Sequence, residues 1–65
     1  DILVSVRVPT AWNSEKLQTR ELFRQPVLTQ PGTERVALVM PVGSLAENLR
    51  ELDAVHAFVE HVYDY

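Results

Sequence analysis

Seven residues near the start of the chain settle most of what it can fold into. The run Ile2-Leu3-Val4-Ser5-Val6-Arg7-Val8 places Ile2, Val4, Val6 and Val8 at every second position, against Leu3, Ser5 and Arg7. Successive side chains of a strand point to opposite faces, so this alternation makes one wholly apolar stripe and one mixed stripe. Pro9 offers no amide proton to a ladder and closes the segment. A strand of this kind needs partner strands at its edges and a second layer over its apolar stripe. The rest of a 65-residue chain has to supply both.

Residues 34–42 predict a second strand. Val36, Leu38, Met40 and Val42 alternate with Ala37 and Val39, and apolar character on both faces predicts a central place in the sheet. Between the two strands, residues 10–13 read as a loop. Asn13 or Ser14 is then placed to cap a helix over residues 15–25, which are good helix formers with a thin apolar stripe of Leu17, Leu22 and Phe23. Pro26 closes that segment, residues 27–30 read as a short strand, and Pro31-Gly32 is a turn. Ser44 and Glu47 have the spacing of a capping box, and Leu45, Leu49 and Leu52 form the stripe of the helix that follows.

The tail, residues 55–65, fits two patterns. As a helix it continues the leucine stripe through Val55, Val59 and Val62; as a strand it alternates along its whole length. Its Val, Phe, Tyr and His content favours the strand. Strand, helix, strand, turn, strand, helix, strand is the order of an α+β, ferredoxin-like β-α-β-β-α-β plan. It predicts a single small domain over residues 1–65, with two helices on one face of an antiparallel sheet.

Composition bears on what supports such a fold. Apolar residues make up 46% and charged residues 23%, ordinary proportions for a globular domain. Cysteine is absent, so no disulfide supports the fold. A core this small supplies roughly 3–5 kcal/mol. The net charge of −3, with its six basic residues scattered, argues against nucleic acid as the main partner. No apolar run approaches the ~20 residues that span a bilayer as a helix. A first residue of Asp1 rather than Met reads as a processed or excised segment.

Little in the chain speaks for catalysis. His56 and His61 are five apart, which puts them on opposite faces of a strand or about 140° apart on a helix, so no metal site is expected. His56, Glu60 and Asp64 share a strand face, read as a solvated charged row. Ser44 is explained as a helix cap, and two glycines are too few for a phosphate-cradling loop. Trp12 is expected to fold over the edge of the core. With neither nucleophile nor cofactor motif, the chain reads as a binding protein rather than an enzyme, and no cofactor is expected.

The last third carries a resemblance. A capped amphipathic helix ends in Leu49-Arg50-Glu51-Leu52. Asp53-Ala54-Val55 and Ala57-Phe58-Val59-Glu60 follow, and the chain closes on Val62-Tyr63-Asp64-Tyr65. Over about residues 44–65 this resembles the C-terminal part of subtilisin propeptides, the I9-type prodomains. The resemblance implies an intramolecular chaperone and inhibitor of a subtilisin-like serine protease, and hence a secreted protein. It also implies protein-binding roles for Glu60, Val62, Tyr63, Asp64 and Tyr65. Tyr65 would enter the S1 pocket, Val62 the S4 pocket, and Glu60 would cap a protease helix. Two other readings stand beside it. One is an ACT-type or ferredoxin-like regulatory module that forms a homodimer. The other is a small subunit of a larger assembly, docked through one long helix from Ser44 to about Val62.

Overall fold

A computed structural model describes residues 1–64 of the chain; Tyr65, one of the expected partner-binding residues, lies outside the described residues. Four strands and one α-helix follow in the order β1 (Ile2–Pro9), β2 (Arg20–Pro26), β3 (Thr33–Met40), α1 (Leu45–Ala54) and β4 (Phe58–Asp64). All pairings are antiparallel, and the strands lie in the order β2-β3-β1-β4. The two strands with the strongest alternation therefore sit in the centre.

Register sets the core. Ile2 faces Met40, Val4 faces Leu38 and Val6 faces Val36 across the β1–β3 ladder. These six side chains, with Val8, form one apolar face, and Leu52 of α1 closes over it. Leu45, Leu49, Trp12 and Leu17 pack around this cluster, so the cover is one helix plus the 10–19 loop. Trp12 lies over the core edge, as its setting in the sequence suggested.

The ferredoxin-like, two-helix plan is overturned. The described chain is a small α+β fold with four antiparallel strands and a single helix. No helix forms in residues 15–25: residues up to Thr19 are irregular, and Arg20–Pro26 is strand β2. Leu17, Leu22 and Phe23 make too narrow a stripe to hold a helix against the sheet, whereas the free edge of β3 offers a full ladder of backbone partners. Ion pairs favour the same outcome. Arg24 reaches Glu34 of β3 at 2.8 Å while holding Glu21 at 2.9 Å.

Other boundaries moved for local reasons. Residues 27–30 belong to the β2–β3 turn, which Gly32 completes at φ +82°. Pro41 ends β3 one residue past Met40, and a 3-10 turn over Val42–Ser44 leads into α1. The capping box does not form. Ser44 makes no side-chain cap bond, and its hydroxyl donates instead to Gln18 Oε1 at 3.0 Å. The tail is a strand and not a continuation of α1. Ala57 N–H donates to Leu52 C=O and His56 N–H to Asp53 C=O, both at 3.0 Å, with His56 at φ +59°. This is a Schellman stop, with histidine where glycine is usual.

Candidate protein-docking surface

One face of the sheet is covered by α1 and the 10–19 loop; the other is open. The pleat that sends Val4, Val6, Val36 and Leu38 inward sends Leu3, Ser5, Arg7, Arg35, Ala37 and Val39 outward. Three cross-strand rows result. Arg20, Val39, Leu3 and Tyr63 form an apolar row with a cation at one end. Phe23, Ala37, Ser5 and His61 form a row with small residues in its middle. Gln25, Arg35, Arg7 and Phe58 form a charged row.

Glu60 sits beside the charged row because the β1–β4 register slips there. Ser5 faces His61 and Val6 faces Val59, so Glu60 is the extra residue of a bulge. A bulge re-aims a side chain, and here the carboxylate comes to the open face. Arg35 grips it with two bonds, Nε to Oε1 at 2.7 Å and Nη2 to Oε2 at 2.9 Å. The Ser5 hydroxyl donates to Oε1 at 3.1 Å, and Arg7 Nε lies 3.4 Å from Oε2 without hydrogen-bond geometry. The Arg35 bonds, helped by Ser5 and by the charges of both arginines and opposed by burial, hold the Glu60 carboxyl at about 2. Arg7 also lays its guanidinium 4.3 Å from the centroid of the Phe58 ring.

The expected site residues fall in distinct places. Val62, Tyr63 and Asp64 are exposed on β4, an edge strand whose outer edge is unpaired among the described residues. By register Tyr63 is on the open face, its ring 5.6 Å from that of His61, while Val62 and Asp64 are on the covered side, opposite Val4 and Ile2. Glu60 is half-buried, and both its oxygens are already engaged by its own sheet. His56 and His61 are separated, one in the helix stop and one on the open face, and no cluster of three or more His, Asp or Glu able to hold a metal occurs among the described residues. Among the described residues no helix is long and apolar enough to cross a membrane.

Sequence reasoning passed over Arg7, Arg35, Ser5, Phe23 and Phe58 as surface-forming residues. The signal for Arg7 and Ser5 was present, since both occupy the non-core positions of the first strand. For Phe23 it was absent, because its segment was assigned to a helix. Comparison with known proteins adds no relative: no family model, no curated protein and no solved structure matches the chain.

Proposed function

We propose that the chain is a protein-binding module that engages a subtilisin-like serine protease through β4 and the residue beyond it, as inhibitor and folding aid. The observation that supports this reading is the outer edge of β4, unpaired among the described residues and ending on exposed Val62, Tyr63 and Asp64. An unpaired edge adds a partner strand through main-chain hydrogen bonds, and exposed side chains along it and beyond it then fill pockets. In this reading Tyr65 fills a large S1 pocket and Val62 an apolar S4 pocket. Glu60 serves differently from its role in the resemblance. Its carboxylate has four lone-pair sites, and Ser5, Arg35 and Arg7 face them, so it shapes the strand rather than capping a partner helix.

The test is inhibition of a subtilisin by the intact, folded chain. The expected result is inhibition in the nanomolar range, weakened at least about tenfold by Val62→Asp or by removal of Tyr65. Far-UV circular dichroism checks that each variant keeps its sheet. If the folded chain leaves such proteases fully active, this reading fails.

A further inference from the structure

Charge is divided unevenly between the two sides of the sheet. Arg7, Arg20 and Arg35 against Glu60 leave the open face with two positive charges, while the other acids and bases of the chain leave five negative ones. The rings on this face are also uncovered: Phe23 is 47% exposed, Phe58 56% and Tyr63 50%. Between them the sheet is already closed: Ala37 points outward yet is only 2% exposed, so its neighbours cover it, and the apolar surface left uncovered is that of the flanking rings.

The geometry points to a second, separate docking surface here, for a short amphipathic acidic segment of a partner protein. One apolar side chain of that segment rests on the exposed ring of Phe23, and its carboxylates meet Arg35 on one side of that ring and Arg20 on the other. The apolar and charged rows lie four residues apart along the strands, about 13 Å, the span of a few residues of bound peptide. Charge chooses between polyanion and peptide. A nucleic acid would be drawn to the rings and arginines. It would also bring many phosphates towards a molecule whose remaining surface carries five negative charges, at distances where that repulsion is felt. Glu60 already neutralises part of Arg7 and Arg35, which leaves charge for one or two carboxylates and not for a phosphate backbone. This surface does not depend on the protease reading, because its distinguishing residues Phe23 and Arg20 lie on β2, at the opposite edge from β4.

Amide chemical-shift mapping of the full chain tests the inference, with three probes. They are the peptide acetyl-Glu-Glu-Leu-Trp-Glu-Leu-amide, its Lys-for-Glu counterpart, and oligo-deoxythymidylate. The acidic peptide is expected to move the Ser5, Ala37, Val39 and Tyr63 amides, and to bind more weakly as salt is raised. Arg20→Glu and Phe23→Ser, both at exposed positions, should each weaken it about five- to tenfold while leaving the circular dichroism spectrum unchanged. The inference is overturned by shifts confined to α1 and the 10–19 loop, by equal binding of the lysine peptide, or by tighter binding of the oligonucleotide. A self-associated dimer that buries these same amides overturns it too. None of these failures alters the protease assay, which reads β4.

Discussion

Glu60 ties three strands together: its own β4, β1 through Ser5 and Arg7, and β3 through Arg35. Its carboxyl is more acidic folded than unfolded, so the stabilisation is complete above about pH 4.5 and is lost as pH falls towards about 2. Glu60→Gln should cost about 1–2 kcal/mol at pH 7, less than the full shift implies because water screens the Arg35 side of the pair. Urea unfolding at pH 7 and again near pH 2 checks this, since the difference between the two proteins should shrink in acid. His56 is the second informative residue. It holds a left-handed conformation that glycine adopts without steric penalty. His56→Gly should stabilise the chain by about 0.5–1 kcal/mol, read as a shift in the urea midpoint; a loss of stability would show that the imidazole contributes contacts that outweigh the strain.

At the scale of elements, α1 and the 10–19 loop share the task of covering the sheet. Asn48 joins them. Buried in α1, it accepts from Gln18 N–H at 3.4 Å and donates to Gln18 C=O at 3.3 Å. Asn48→Ala should cost about 1–2 kcal/mol and speed hydrogen exchange of the Leu17 amide, since the loop loses its tether. Leu52→Ala should cost more, about 2–4 kcal/mol, because Leu52 is the fully buried contact of α1. The β1 and β3 strands and α1 were legible in the sequence, since each carries its own periodicity. Strand β2 was not. The stretch Glu15–Gln25 prefers helix in isolation, and even its Glu21–Arg24 pair has helical i,i+3 spacing. Only the open edge of β3, whose paired residues lie from eight (Pro26 to Glu34) to nineteen (Arg20 to Val39) positions further on, overrides that preference.

For the whole molecule, a core of eight buried apolar residues among those described, closed by one ten-residue helix, predicts modest stability, roughly 3–5 kcal/mol. Far-UV circular dichroism should be dominated by sheet. Helix content well above one third would contradict the stop at His56 and revive a long terminal helix. A partner that binds only the folded chain should raise its melting temperature in proportion to the logarithm of its concentration, which gives a readout for either docking surface without an activity assay.

Alternation and propensity along the chain determined that residues 2–8 and 34–42 form strands, the second of them central, and that residues from Leu45 form a helix. These are local properties, written in side-chain period and backbone preference. Tertiary structure alone decided that residues 20–26 pair as an edge strand, that a loop takes the place of the first helix, and that Glu60 turns onto the open face. Each of those outcomes depends on a partner distant in sequence: the edge of β3, the amide of Asn48, the guanidinium of Arg35. A contact of that kind has energy only after the chain has closed the loop between its ends, so no local pattern records it.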